Sequence, residues 1–287
     1  MRYRFISEHQ NEISIQRMCS VLNVSRSSYY TWYHSTPTVR DKENEVLLGR
    51  MRDIHRQNRQ TYGSPRMWQA LRQQGIRCSR KRIARLMRLH GIRAKMVRRF
   101  KITTRSRATA LIAPDLVQRQ FSVQQPNRIW TSDITYLWTR EGWAYLAVVL
   151  DLYSRMIVGW EISARIDASL VKTAIQRALY NRRPSEDVIL HSDRGSQYAS
   201  NDLLSLAKEQ PLCLSMGKTG SCYDNAVTES FFHTLKTEHI YFQRFETRLD
   251  ARTSIFDYIE TFYNQRRLHS TLGNLSPMQF ELQSTMT

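Results

Sequence analysis

Acidic residues are nearly missing from one long stretch of this 287-residue chain: between residues 50 and 107, Asp53 is the only acid against 19 Lys/Arg. Residues 1–110 hold 25 of the 43 Lys/Arg but only 6 of the 25 Asp/Glu. The rest of the chain, 18 against 19, is close to neutral, so the net charge of +18 belongs to the first two-fifths. A compact region so one-sided repels itself unless a polyanion neutralises it, which makes nucleic acid the leading partner and an anionic membrane surface the lesser one. Long apolar runs are absent as well. No segment approaches the ~20 apolar residues of a membrane span, and the opening Met1-Arg2-Tyr3-Arg4-Phe5-Ile6-Ser7-Glu8 lacks the apolar core of a secretory signal. Cysteine is scarce: Cys19, Cys78, Cys213 and Cys222 are scattered, with no C-x-x-C pair and no His at zinc-ligand spacing, which argues against a disulfide framework or a zinc site. No apolar heptad is sustained either, so a long coiled coil is not expected.

What is present begins with helices. Residues 14–33 carry a short amphipathic run ending near Leu22, a three-residue turn, and Ser25 as cap of a second helix, the layout of a helix-turn-helix or of an ordinary helical hairpin. His34 to Thr38, with Pro37, reads as a break. A second unit follows Tyr62-Gly63: Ser64 is expected to cap and Pro65 to take the first helical position of a helix that carries Met67, Trp68 and Leu71 and stops at Gly75. Ser79 then caps a helix running from Arg80-Lys81-Arg82 to His90, with Gly91 as its stop. Ile83, Leu86, Met87 and His90 make its expected buried stripe and leave Arg82, Arg85 and Arg88 exposed. Together with Arg80, Lys81 and the tail that includes Arg98 and Arg99, this surface suits a DNA backbone or groove.

Residues 103–126 are polar, with Pro114 and Pro126, and read as a connection. The expected organisation is therefore a helix-turn-helix-like unit over 1–36, a basic helix-turn-helix region over 37–102, a linker over 103–126 and a core over 127–287. In that core, strands are expected at 128–138, 143–152 and 156–162, a meander joined by tight turns. A helix at 169–181, a strand at 187–191, a helix at 202–209, a strand at 212–215, a helix opening within 221–236 with Ser221 or Asp224 as its cap, and another at 251–263 complete an α/β mixed sheet with helices on both faces.

Three carboxylates stand out in this frame. Asp133 falls within the first strand on the face of Ile129, Thr131, Thr135 and Leu137, where an ionised Asp needs a partner or a metal. Asp193 ends the fourth strand, where an Asp also commonly forms a turn. Glu229 lies on the helix that follows Gly217 and Gly220, with His233 and Lys236 at i+4 and i+7 on one face and Val227, Phe231 and Leu235 on an adjacent apolar stripe. Taken alone, such a face is more often a solvated surface than a catalytic one, and the role of His233 stays open. If the first and fourth strands are neighbours, Asp133 and Asp193 meet at the sheet. Three carboxylates without His or Cys describe an oxygen-ligand site for Mg²⁺ or Mn²⁺, and two such ions suit in-line displacement at a phosphodiester.

Trp130-Thr131-Ser132-Asp133-Ile134-Thr135-Tyr136, His191-Ser192-Asp193-Arg194-Gly195-Ser196-Gln197-Tyr198 and Asp224-Asn225-Ala226 through Glu229, with thirty-five residues between Asp193 and Glu229, resemble the DDE transposases and retroviral integrases. The closing Tyr263-Asn264-Gln265-Arg266-Arg267-Leu268-His269 through Gly273 and Pro277 is similar to the bacterial insertion-sequence group whose transposase is made from two overlapping reading frames, and this chain resembles the second-frame (OrfB) product over nearly its whole length. That resemblance implies an RNase H-like integrase catalytic core, preceded by a small all-α helix-turn-helix region, that cleaves the 3′ ends of a mobile element and joins them to target DNA. It implies Asp133, Asp193 and Glu229 as catalytic metal ligands for Mg²⁺ or Mn²⁺, two ions in number, and Lys236 as a DNA contact near the reacting phosphate. It also implies double-stranded DNA partners (terminal inverted repeats and target), a homo-multimer on DNA, pairing with the first-frame product, and a bacterial cytoplasmic, nucleoid-associated location. The residue 217–222 loop would act as a hinge for the Glu229 helix. The alternatives are a DNA-binding regulator that keeps an inactive integrase-like core and a nuclease that only hydrolyses.

Overall fold

The computed structural model describes residues 1–34, 36–95, 113–117, 123–193, 195–217 and 226–284. The chain divides into two compact units, Met1–Asp53 and Ile54–Thr287. In the first, α1 (Arg2–Glu8), α2 (Ile15–Val21) and α3 (Arg26–Tyr33) pack together around Ile6, Met18, Cys19 and Tyr29. Ser25 caps α3 as its sequence position suggests, its Oγ accepting the Ser28 N–H at 3.3 Å. Past the break, α4 (Val39–Gln57) opens with a reciprocal pair: Thr38 N–H donates to Asp41 Oδ2 at 3.0 Å and Asp41 N–H donates to Thr38 Oγ1 at 3.2 Å.

In the second unit the basic pair is α5 (Ser64–Gln73) and α6 (Arg80–Leu89), which pack on each other. The cap of α5 is Gly63, not Ser64, because Gly63 takes the extended backbone that precedes the first turn and Ser64 is already helical. Ser79 Oγ accepts the Arg82 N–H at 3.2 Å and caps α6. Ile83, Leu86 and Met87 bury, but His90 is exposed: the helix ends at Leu89, and His90 turns out of the stripe with φ −104° ahead of Gly91 at φ +66°. Arg82, expected exposed, is half-buried, while Arg80, Lys81, Arg85 and Arg88 face solvent.

The sheet has five strands in the order β3-β2-β1-β4-β5. β1 (Ile129–Thr139), β2 (Gly142–Asp151) and β3 (Ile157–Ser163) form the antiparallel meander. The crossover helix α7 (Ala168–Arg182) leads to β4 (Val188–Ser192), which pairs parallel with β1, and α8 (Asn201–Glu209) leads to β5 (Leu212–Met216), parallel to β4. The near-continuous apolar run of β2 reflects burial on both faces: Ala147 and Val149 join Trp130 and Val158 against α7, while Leu146, Val148 and Leu150 face the opposite core. That core is closed by α9 (Ala226–Glu238) and α10 (Arg248–Phe256), the latter continuing as a wider π-helical segment through Tyr263 that buries Tyr258, Ile259, Phe262 and Tyr263. α10 starts earlier than its apolar spacing suggests, because Thr247 and Asp250 form a capping box. A last helix, α11 (Pro277–Ser284), follows. Asn264 ties the C-terminal segment to the sheet, its side chain bonding both the N–H and the C=O of Ile157 at 3.0 Å. Of the segment read as a connection, residues 113–117 run beside β5: Leu116 N–H donates to Ser215 Oγ at 3.0 Å and Val117 is buried.

Gly159 is where β3 and α7 touch most closely. A Cβ there would lie 2.3 Å from the Ala174 carbonyl oxygen and 2.6 Å from the Ala178 nitrogen, both backbone atoms of a packed helix. Gly159→Ala is therefore expected to destabilise the second unit by about 2–3 kcal/mol through overpacking, read as a lowered urea midpoint.

Candidate active site

Strand pairing sets the site. Ser132 of β1 pairs with Ser192 of β4 in parallel register, so Asp133 and Asp193 are the next residues on two adjacent chains, where neighbouring strands run about 4.8 Å apart. Each carboxylate is held locally. Asp133 Oδ1 accepts the Ile134 N–H at 2.7 Å, and Asp193 Oδ1 accepts the Gly195 N–H at 3.0 Å in a turn where a Cβ on residue 195 would crowd both Asp193 Oδ1 and Gln197 Oε1 at 3.0 Å. Asp193 thus forms its Asx turn and stays exposed beside Asp133. Behind them, Ser132 Oγ donates to the Val148 carbonyl at 2.9 Å and shares a 2.9 Å hydrogen bond with the buried Tyr198 hydroxyl, so the β4 exit turn is fastened to β1.

α9 reaches this edge through a buried hydrogen bond, Thr131 Oγ1 to Thr228 Oγ1 at 2.7 Å. Phe231, Phe232 and Leu235 bury as the apolar stripe, which leaves Glu229 and His233 exposed and Lys236 half-buried. Lys236 Nζ sits 4.9 Å from the centre of the Tyr136 ring. The structure therefore brings Asp133 and Asp193 side by side and sets Glu229 close enough for its charge to be felt at Asp133. It does not draw all three into a closed shell: among the described residues no group of three or more His, Cys, Asp or Glu is gathered to hold an ion. Arg98, Arg99 and residues 218–225, which include most of the expected hinge loop and Cys222, lie outside the described residues.

The electrostatics follow from this crowding. Burial, then the charge of Asp193, then that of Glu229 push the Asp133 carboxyl up to about 7, against the Ile134 N–H and the Lys236 ammonium that hold it down. Partial desolvation of its carboxyl raises the exposed Glu229 as well, and burial lowers Lys236 while the charge of Asp133 opposes that shift. All the donors are oxygens, and their mutual repulsion is what a hard divalent cation relieves, so the residues present fit Mg²⁺ or Mn²⁺. Tyr198, Thr131 and Thr228 are supporting groups that sequence spacing does not single out, because their partners are 66 and 97 residues away.

Comparison with known proteins agrees with this architecture. Residues 123–222 and 229–285 each match an Integrase core domain family, and residues 42–100 match the HTH-like domain family. The chain is 42% identical over 287 residues to the Transposase InsF for insertion sequence IS3A of Escherichia coli, covering 98% of both chains. It is 41% identical to an uncharacterized 31 kDa protein of insertion element IS600 from Shigella sonnei, covering 92% of this chain and 97% of that one. A more distant likeness is the solved simian T-cell lymphotropic virus intasome in complex with PP2A regulatory subunit B56 gamma, at 14% identity and a TM-score of 0.47, over 74% of this chain and 69% of that chain. With the 42% identity sustained from end to end, the chain belongs to the InsF transposases of the IS3 family.

Proposed function

We propose that Asp133, Asp193 and Glu229 form the catalytic centre with which this transposase cleaves the 3′ ends of its insertion sequence and joins them to target DNA by in-line phosphoryl transfer. The observation that carries this reading is the parallel β1–β4 register, which sets two carboxylates on adjacent strands with a third within electrostatic reach. Asp133, Asp193 and Glu229 would hold one or two Mg²⁺ or Mn²⁺ ions; such ions, when bound, polarise the phosphoryl oxygens and favour the attacking and leaving oxygens. The protein's own groups position the DNA. Lys236, half-buried beside Asp133, is placed to meet a phosphate near the reacting one, and the exposed arginines of α6 hold the duplex. Element-end and target DNA are the partners, and assembly is as a multimer on DNA, with the first-frame product as a further partner. No helix among the described residues is long and apolar enough to cross a membrane.

The test is purified protein with its own element-end DNA and Mg²⁺, with cleavage and joining scored separately. Joined product is expected. Cleavage without joining would make the protein a nuclease, and binding without either would make it a regulator with an inert core. On the binding side, replacing Arg82, Arg85 and Arg88 with Gln is expected to weaken duplex binding and to flatten the dependence of log K on log salt by about 0.9 for each phosphate no longer neutralised. An unchanged slope would remove α6 from the interface.

A further inference from the structure

Beside the face of α9 that carries Glu229, His233 and Lys236 lies a separate cavity of about 290 Å³, walled on one side by Ala226, Val227 and Ser230. Its other walls bring together groups far apart in sequence: Arg66 from α5, Arg155 from the turn between β2 and β3, and Arg267, His269, Ser270 and Thr271 from the C-terminal segment. Three guanidiniums line it, and among the described residues Glu238 pairs with two of them. Glu238 accepts Arg267 Nη2 at 2.7 Å and Arg66 Nη1 at 3.3 Å. Asp151, the other acid whose charge is felt at Arg155, is already taken by the Asn127 N–H at 2.8 Å, the Tyr153 N–H at 2.9 Å and Arg182 at 3.5 Å.

Among the described residues, two buried nitrogens of this cavity have no hydrogen-bond partner: Arg155 Nη1 and His269 Nε2. Arg155 is also held in a left-handed backbone conformation, φ +61°, that a non-glycine residue adopts only under constraint. Buried N–H groups of a charged side chain are rarely left unmet, and a neutral water would leave the excess positive charge in place. An anion meets both needs. The charges of Arg267, Arg66 and Arg155 all depress His269, after burial itself, which keeps the imidazole neutral with a single N–H to offer.

We propose that this cavity is a second phosphate site, separate from the carboxylate pair, in which Arg155, Arg66 and the His269 Nε2–H hold one phosphodiester of the DNA backbone. The proposal rests on the reading of the chain as a DNA strand transferase. It gives the DNA a fixed point between the basic helix α5 and the helix that bears Glu229, so that a backbone phosphate is clamped while another is presented to the carboxylates.

The test uses the full chain and element-end duplex DNA across a range of salt. Arg155→Gln is expected to weaken binding about tenfold at moderate salt and to reduce the salt slope by about 0.9, whereas Arg155→Lys keeps most of the slope. His269→Ala, which removes a neutral donor, is expected to weaken binding about threefold to tenfold with the slope unchanged. Millimolar inorganic phosphate, as the second probe, is expected to raise the melting temperature of the wild type and not of Arg155→Gln. Wild-type slope and affinity in both Arg155→Gln and His269→Ala would overturn the site while leaving the transferase reading intact. Stabilisation by inorganic phosphate with an unaltered DNA slope in Arg155→Gln would show a site for the free ion and likewise overturn the proposal. A wild-type chain that binds no DNA would overturn both readings.

Discussion

Asp133→Asn, Asp193→Asn or Glu229→Gln, each alone, is expected to lower strand joining by at least about a thousandfold, equivalent to about 4 kcal/mol of transition-state stabilisation, while duplex binding changes by less than about twofold. The amides preserve shape: the Ile134 N–H still finds Oδ1 of residue 133, and the Gly195 N–H still finds Oδ1 of residue 193. What is lost is the charge that holds a divalent cation. A second readout separates this from general damage. Because burial and its neighbours raise the Asp133 carboxyl to about 7, the native state binds this proton more tightly than the unfolded chain does. Stability contributed by the protonated form is therefore present in acid and lost as pH rises from the ordinary carboxylate range through 7. In metal-free buffer at neutral pH, Asp133→Asn should thus melt higher than the wild type, and adding Mg²⁺ should raise the wild-type melting temperature without raising that of the variant. Full joining activity in any one of the three would refute their role as ligands.

The strands and main helices of the core are legible because each carries its own period. β2 reads as an unbroken apolar run because both of its faces bury, and α7 shows its core side as Leu170, Ala174, Ile175, Ala178 and Leu179. Capping chemistry marks Ser25 and Ser79 correctly, since a cap is a local hydrogen bond. It misplaces the start of α5 by one residue, since Gly63 and Ser64 compete for the same role and only the backbone conformation decides. His90 is misjudged for a related reason: helical spacing extrapolates past the point where the helix stops. The neighbour relation of β1 and β4 is of another kind. Nothing in either strand's pattern encodes a parallel register between residues about sixty apart, so the adjacency of Asp133 and Asp193 is a condition that the fold alone can meet. The same holds for Arg66 and Arg155, which in sequence are two bases among many and in the fold face one cavity.

Glu238→Gln is expected to destabilise the second unit by about 3–5 kcal/mol, because it strands a buried charge instead of exchanging one surface pairing for another. Arg267 is only 5% exposed. Its Nε and Nη2 donate to the two carboxylate oxygens of Glu238 at 2.8 and 2.7 Å, Tyr258 adds a hydroxyl at 3.2 Å, and Arg66 a further guanidinium at 3.3 Å. The carboxylate holds Arg267 above its ordinary proton affinity in spite of burial. Without that negative charge, the buried Arg267 faces Arg66 with no acid between them, and a fall of about 10 °C in melting temperature follows from the expected loss. A shape-conserving apolar pair, Glu238→Leu with Arg267→Met, is expected to recover much of that stability, as replacement of a whole buried ion pair often does. A loss below about 1 kcal/mol for Glu238→Gln would mean that the pair is solvated and carries little. Glu238 is also the last residue of α9, the helix that bears Glu229 and Lys236, so its carboxylate pins that helix at the end opposite the Thr131–Thr228 bond. The apolar double variant therefore separates folding from function, which the single variant mixes: it restores folding while leaving Arg66 without its acid, and any joining defect that survives in it reports on the placement of α9 or on the guanidiniums of the cavity, not on stability.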